Sequence, residues 1–318
     1  MGKRVLLTGG TGFVGQAIVA GLRERGDSVV VITRNAASAR ARLGHDSAID
    51  IVEGDPCYGG SWQASLRDVN AVIHLAGQSV AGERWSARYK QILHDSRVES
   101  TRNLVDAMQS SDARERPTVL VSASGIDYYP FDDDIPGGGD DDIDENQPAG
   151  STFLARLCRD WESEAMRASE LGVRVVCMRS GVVLDRGDGG PLDKMTIPFR
   201  FFAGGRIGSG KQWLSWIHRD DAAAAYLFAM DRADVSGPLN LVAPSPVRAG
   251  DFARALGKVM GRPSWLPVPA FAIRAAVGEF AEHLLHGRRA IPAALVRHGF
   301  QFAFPALEPA LASIFTVS

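Results

Sequence analysis

The 318 residues, 45% of them hydrophobic and 23% charged, suffice for one large α/β unit or for an α/β domain with a smaller lobe. A formal net charge of −2 argues against a general nucleic-acid binder, which needs a basic surface. No stretch approaches the ~18 apolar residues of a membrane span, and the apolar run in "MGKRVLLTGGTGFVG" is broken by glycine too early for a signal-peptide core. Cys57, Cys158 and Cys177 form neither a CxxC pair nor an even framework, so a reduced, cytoplasmic setting is expected.

In chain order, "RVLLTGG" is a short apolar run ending in glycine and predicts a buried strand. "GQAIVAGLRERG" has apolar residues at helical spacing and a terminal glycine. "SVVVIT", "AIDIVEGD" and "AVIHLAG" follow as strands, and "KQILHDSRVESTRNLVDAMQ" as one helix. "TVLVSAS" is a fifth strand, "FLARLCRDWESEAMRASELG" a long helix and "VRVVCMRSGVVL" a sixth strand. Apolar strands alternating with helices predict a Rossmann-type, doubly wound parallel sheet covered on both faces.

Beyond residue 185 the connections become rich in glycine and proline, as in "FFAGGRIGSGKQ" and "RPSWLPVPAFA". Residues 1–185, with 214–243 returning to them, are expected to form the nucleotide-binding domain. Residues 186–213 and 244–318 are expected to form a smaller substrate lobe.

Gly9, Gly12 and Gly15 make G-x-x-G-x-x-G between the first strand and the first helix. That pattern in that context serves a tight turn, backbone approach to a pyrophosphate and close helix–strand packing, with the helix N-terminus facing the phosphates. The second strand ends in Thr33 and Arg34, where an NAD enzyme carries an acid. Arg40 and Arg42 follow. NADP(H) is therefore favoured over NAD(H). Asp55 is placed either to accept a hydrogen bond from the adenine amino group or merely to cap a turn.

"TGGTGFVG", "HLAG", "SRVESTRNLV", "SAS…YY", "WESEA", "RSGVVL", "GGRIGSGKQWLSWIHRDD" and "LNLVAPSPV" occur in an order that resembles the extended short-chain dehydrogenase/reductases. The resemblance is to their atypical, epimerase-family branch, which ends in a small domain of unknown function. It implies Gly9, Thr11, Gly12, Phe13, Val14 and Gly15 at the pyrophosphate and Thr33 and Arg34 at the adenosine phosphate. It also implies Leu75, Ala76 and Gly77 along the fourth-strand edge, Arg97 as a cofactor contact and Val183 beside the nicotinamide. The wider superfamily transfers a proton through Tyr-x-x-x-Lys, the lysine lowering the tyrosine pKa. Counting back from Glu162, those positions hold Leu154 and Cys158, neither of which transfers a proton in that way.

Ser124, at the end of the fifth strand, is expected to donate its hydroxyl to a substrate carbonyl, with Tyr128 or Tyr129 nearby as acid. Asp127 stands where relatives carry a small residue. In an apolar pocket its pKa would rise toward neutrality, so Ser124, Asp127 and Tyr128 form the candidate catalytic set. His218 is read as a core histidine or a site acid, Asp220 or Asp221 as a helix cap, and Lys211 and Gln212 as possible substrate contacts.

His283 and His286 read as a solvated helix end rather than a metal site. The acid run "FDDDIPGGGDDDIDE" lacks calcium-loop spacing and reads as a solvated insertion, with a lid or electrostatic filter as the alternative. The functional expectation is an NADP(H)-dependent oxidoreductase acting on a small organic carbonyl, imine or alkene, as a monomer or homodimer. A redox-neutral epimerase, dehydratase or isomerase, or a non-catalytic NADP-binding regulator, is the alternative.

Overall fold

The computed structural model describes residues 2–131, 134 and 139–316. Strand β1 (Arg4–Thr8) turns into helix α1 (Phe13–Glu24), followed by β2 (Ser28–Thr33), α2 (Ala36–Leu43), β3 (Ile49–Glu53) and β4 (Ala71–His74). Then come α3 (Ala87–Asp95), α4 (Val98–Ser110), β5 (Val119–Gly125), α5 (Phe153–Met166) and β6 (Arg174–Ser180). β7 (Val182–Leu184), α6 (Pro191–Arg200), β8 (Trp213–Leu214), β9 (Trp216–His218), α7 (Arg219–Asp231) and β10 (Gly237–Leu241) follow. β11 (Val247–Arg248), α8 (Ala249–Met260), α9 (Ala270–Val277), α10 (Glu282–Leu285), α11 (Ala293–Arg297) and α12 (Leu307–Thr316) end the chain.

Seven strands form one parallel sheet in the order β10-β6-β5-β4-β1-β2-β3. The expected Rossmann-type sheet is thus present. Val5, Leu7, Val29, Val31, Ile73 and Val121 face α1 and α7 through Ile18, Leu22, Tyr226 and Met230. The alternate residues Leu6, Val30, Val72 and Leu120 face Leu104 and Met108 of α4. Burial on both faces explains why the strands read as continuous apolar runs. Each fully buried side chain contributes roughly 1.5–3 kcal/mol against the entropy of ordering the chain.

Chain order reverses between β1 and β4, so the carboxyl ends of these two strands flank the crevice where such sheets bind ligands. Beneath that crevice Thr8 and His74 are fully buried. Thr8 Oγ1 accepts the N–H groups of Leu75 and Ala76 and donates to His74 Nδ1 at 2.7 Å. Ser100 gives its own hydroxyl to the Ser96 carbonyl and lies 3.2 Å from the remaining ring nitrogen of His74. Burial pushes His74 down to about 4, so it is a neutral strut between β1, β4 and α4.

Two elements expected to be continuous are broken. The helix over residues 90–109 divides at Ser96 and Arg97, because Ser96 Oγ accepts the Gln78 N–H and Arg97 turns back to the carbonyls of Leu93 and Gln78. The sixth strand breaks at Gly181, where a Cβ would lie 2.5 Å from the Ser215 carbonyl oxygen. β7 then leaves the sheet and pairs with β9.

The acidic segment is not merely solvated where it is described. Asp140 pairs with Arg248, Asp142 with Arg289, and both arginines lie over the Trp213 ring. Residues 132, 133 and 135–138 lie outside the described residues. Beyond them, Ile143 exchanges backbone hydrogen bonds with Arg289 and Ile291. Glu145 accepts the N–H groups of Asn240 on β10 and Ala294 on α11. Ala294, Leu295 and Phe300 pack into the core beneath the sheet, so the end of the chain is built onto β10.

Candidate active site

The glycine turn has the geometry that its sequence implies. Gly9 has φ +73°, and a Cβ there would meet the Leu75 backbone at 2.9 Å, so this step of the turn requires glycine. A Cβ on Gly15 would lie 2.2 Å from the Gly9 carbonyl oxygen. The turn therefore sits directly against α1, and Gly12, as N-cap, leaves the first-turn N–H groups of α1 facing outward without a side-chain cap. Thr11 keeps its carbonyl on Gln16, Val14 packs on the core, and the Phe13 ring lies against Gly190 with Arg219 5.2 Å from its centroid. This wall meets a cleft of about 1120 Å³ lined in part by Asp185, Lys194, Arg200 and Arg219.

At the end of β2, Thr33 Oγ1 accepts the Asn35 N–H. Arg34 is exposed and makes no ion pair among the described residues. Asp55 uses Oδ1 to accept the Cys57 N–H at 3.0 Å, which is the turn-capping alternative. Leu75, Ala76 and Gly77 lie along the crevice floor, beside Gly9. Arg97 is close to Gly77, but its guanidinium donates to the Leu93 and Gln78 carbonyls and lies 5.3 Å from the centroid of the Trp161 ring. It is committed to the fold rather than extended toward a ligand. Val183, on β7, packs against the sheet core.

Ser124 departs from its expected role. It ends β5 as predicted, but its hydroxyl donates to Glu162 Oε1 at 2.6 Å. Glu162 also takes both forks of Arg179, Nε and Nη2 each at 2.8 Å. The serine proton is held by that carboxylate, so Ser124 offers lone pairs, not a proton, to a neighbour. Arg179 further donates to the Tyr129 hydroxyl at 2.9 Å, which donates on to Asn240. Burial raises the Tyr129 pKa, which leaves this tyrosine a structural phenol. Tyr128 lies with its ring 3.5 Å from the Arg179 guanidinium, and its hydroxyl makes no hydrogen bond among the described residues.

Asp127 requires a second correction. Burial alone would raise its pKa, but Arg288, His283 and Arg97 outweigh that and hold it at about 2. The pocket is apolar on its walls and cationic at its centre: Arg288 Nη1 lies 3.1 Å and His283 Nδ1 2.8 Å from Asp127 Oδ1. An ionised carboxylate only accepts, so Asp127 does not serve as the acid.

His283 is thus no solvated helix end. Its side chain is 9% exposed and sits among the rings of Trp85, Phe131 and Phe280. His286 remains nearer the surface, beside Glu282 and the Phe131 ring.

Of the positions of the missing tyrosine and lysine, that of the lysine faces Asp127. Leu154 is buried against Tyr89 and Trp161. Cys158 Sγ and Asp127 Oδ2 lie 3.6 and 3.8 Å from where a Gly125 Cβ would be, and burial with the nearby Asp127 and Glu162 charges pushes the thiol up to about 12. Three further candidates, His218, Asp221 and Gln212, are structural. His218 itself caps α7, accepting the Asp220 N–H and stacking on Phe304, while Asp221 accepts the N–H groups of Ala303 and Phe304. Gln212 is buried and donates to the Ile207 and Leu284 carbonyls, whereas Lys211 is exposed.

Glu162, Arg179, His283 and Arg288 escaped the sequence reading. Glu162 lies in "WESEA" and Arg179 opens "RSGVVL", but nothing local in either stretch assigns the residue to the site. Only "RS" interrupting an apolar strand, and two histidines beside an arginine pair, marked them.

Residues 5–241 match the NAD dependent epimerase/dehydratase family, and residues 268–314 match DUF1731, a domain of unknown function. An Arabidopsis thaliana "Epimerase family protein SDR39U1 homolog, chloroplastic" is 39% identical over 98% of this chain and 86% of its own. YfhF, an epimerase family protein of Bacillus subtilis, is 34% identical over 98% of this chain and 97% of its own. The crystal structure of human epimerase family protein SDR39U1, isoform 2, with NADPH superposes with a TM-score of 0.85 at 33% identity, covering 99% of this chain and all of that one. A Thermus thermophilus UDP-glucose 4-epimerase shares the fold, with a TM-score of 0.77 at 18% identity. With the resemblance seen in its motifs thus borne out over nearly its whole length, this chain belongs to the NAD dependent epimerase/dehydratase family and carries the DUF1731 ending.

Proposed function

We propose that the chain is an NADP(H)-dependent oxidoreductase acting on a small organic carbonyl, imine or alkene. The observation that carries this reading is the close-packed glycine turn at the crevice, together with an exposed Arg34, without an ion pair among the described residues, where an NAD enzyme places an acid. The NADPH held by the human relative supports the choice of phosphate form. The residues fit that cofactor. Gly9, Thr11, Gly12, Phe13, Val14 and Gly15 would hold the pyrophosphate, Thr33 and Arg34 the adenosine phosphate, and Leu75, Ala76, Gly77 and Val183 the far side of the crevice. Asp55, bound to its own turn, and Arg97, bound to backbone, would only shape the floor. When bound, the cofactor supplies or takes up a hydride at its nicotinamide ring.

In this reading Ser124, Asp127 and Tyr128 line the reacting end: Ser124 accepts, Asp127 stays ionised, and the Tyr128 hydroxyl is available to the substrate. Residues 1–185 with 214–243 carry the cofactor, and residues 186–213 with 244–318 close over the substrate. The chain is read as a cytoplasmic monomer or homodimer, and its three free cysteines fit a reducing compartment.

The test is to measure NADPH and NADH binding by fluorescence and then follow dihydronicotinamide absorbance with a panel of aldehydes, ketones, quinones, imines and activated alkenes. Consumption of NADPH supports the reading. Product formed without net absorbance change replaces it with a redox-neutral epimerase, dehydratase or isomerase. Stoichiometric binding with no product across the panel replaces it with a regulator.

A further inference from the structure

We infer that His283 is the proton-transferring residue of this site, oriented by Asp127, in the space left by the missing tyrosine–lysine pair. The inference deepens the oxidoreductase reading and rests on it for the identity of the neighbouring cofactor.

Three observations converge. The first is location. Asp127 lies in the turn that follows β5, and its Oδ2 and the Cys158 sulfur approach the same point beside Gly125, so Asp127 stands beside the position of a catalytic lysine and holds His283 on its other oxygen. The second is tautomer. Asp127 is an ionised acceptor, so His283 Nδ1, 2.8 Å away, carries a proton whatever the charge on the ring. Nε2 is therefore the atom that gains and loses one. The third is the state of that atom: Nε2 has no hydrogen-bond partner among the described residues, although the ring is enclosed by Trp85, Phe131 and Phe280.

A purely structural pair explains these facts less well. Arg288 already pairs with the Asp127 charge and ties the C-terminal segment to Tyr129 through its Nε. Charge balance and attachment do not need the histidine.

In the reducing direction the substrate carbonyl carbon receives a hydride, with its electron pair, from the dihydronicotinamide. The carbonyl π pair moves to oxygen, and that oxygen takes the proton from His283 Nε2. The imidazolium becomes neutral imidazole and is reprotonated by water, and Asp127 remains ionised throughout. The oxidising direction reverses each transfer.

The test uses the full chain labelled with ¹⁵N-histidine. In the wild type, neutral His283 is expected to show a protonated Nδ1 and a bare Nε2. Saturating NADP⁺ is expected to shift its Nε2 and Hε1 signals and leave those of buried His74 in place. Asp127→Asn is expected to remove the tautomer preference. With NADPH and the panel compound turned over fastest, His283→Asn is expected to slow single-turnover hydride transfer by at least ~100-fold, with NADPH affinity unchanged. His283→Gln provides a second variant should the first fail to fold.

His283 signals unmoved by bound NADP⁺, or wild-type turnover by either folded variant, overturn the inference and leave the oxidoreductase reading intact. If the wild type consumes no NADPH with any compound, the oxidoreductase reading falls. His283 is then judged on the NMR alone: a shift on NADP⁺ binding supports it, and no shift overturns it.

Discussion

Asp127 Oδ1 lies 2.8 Å from His283 Nδ1, joining residues 156 positions apart and closing the end of β5 with the C-terminal segment. The same oxygen lies 3.1 Å from Arg288, whose side chain is 4% exposed. Removing that arginine leaves Asp127 paired with the histidine alone. Arg288→Met is expected to cost about 2–3 kcal/mol by urea denaturation at neutral pH, at the low end for a buried pair because Asp127 retains some water. Arg288→Lys should recover less than half, since one ammonium does not reach both Asp127 and the Tyr129 carbonyl in the manner of the planar fork.

The Ser124–Glu162–Arg179 chain makes an asymmetric prediction. Glu162→Gln leaves the Arg179 charge buried without its counter-ion and is expected to cost about 3–5 kcal/mol. Ser124→Ala removes one hydrogen bond from a carboxylate that keeps both arginine forks, and should cost about 1 kcal/mol. A double-mutant cycle measured by denaturation checks this. Equal costs would mean that the serine, not the arginine, satisfies Glu162.

Acid stability should carry the signature of His74. Its folded pKa of about 4 is below the ordinary 6.5, so above pH 6.5 neither state binds the proton and its contribution is intact. Between pH 6.5 and pH 4 only the unfolded chain takes it up. Stability then falls by about 1.4 kcal/mol per unit, about 3 kcal/mol in all. His74→Asn is expected to flatten that part of the stability–pH curve while costing about 1 kcal/mol at pH 7.

The crevice can be tested through its backbone as well as its charge. Gly9→Ala combines a left-handed φ of +73° with a Cβ 2.9 Å from Leu75, and is expected to abolish NADPH binding. Arg34→Ala is expected to weaken NADPH by roughly 10- to 100-fold, as for loss of one charge-assisted phosphate contact, and to leave NADH nearly unchanged. Fluorescence titration with both nucleotides distinguishes the two effects.

The sheet, its glycine turn and the end of β2 were legible in the sequence because each depends on local pattern: apolar runs, glycine spacing and the residue after a strand. The helix break at Ser96 and Arg97 was not. It is decided by a hydrogen bond from Gln78 in a distant loop, while the apolar spacing continues undisturbed across it. Ser124 was placed correctly and given the wrong polarity, because its partner Glu162 lies 38 residues away. Asp127 was given the wrong charge state for the same reason. Its surroundings come from Arg97, His283 and Arg288, and no local signal at residue 127 announces them.

Glu145 has a consequence for how the molecule comes apart. Its carboxylate accepts from β10 and from α11 together, while Asn240 on β10 donates to the carbonyls of Ile143 and Ile291. The last strand of the sheet and the final quarter of the chain are thereby stapled through a segment lying between them. Neither can open without exposing the other's polar groups, so their amides should exchange with deuterium at a common rate, as one cooperative opening. A chain cut after residue 267 should yield no stable nucleotide-binding fragment. A domain of unknown function that resembles an appendage is, mechanically, the seam that closes the sheet.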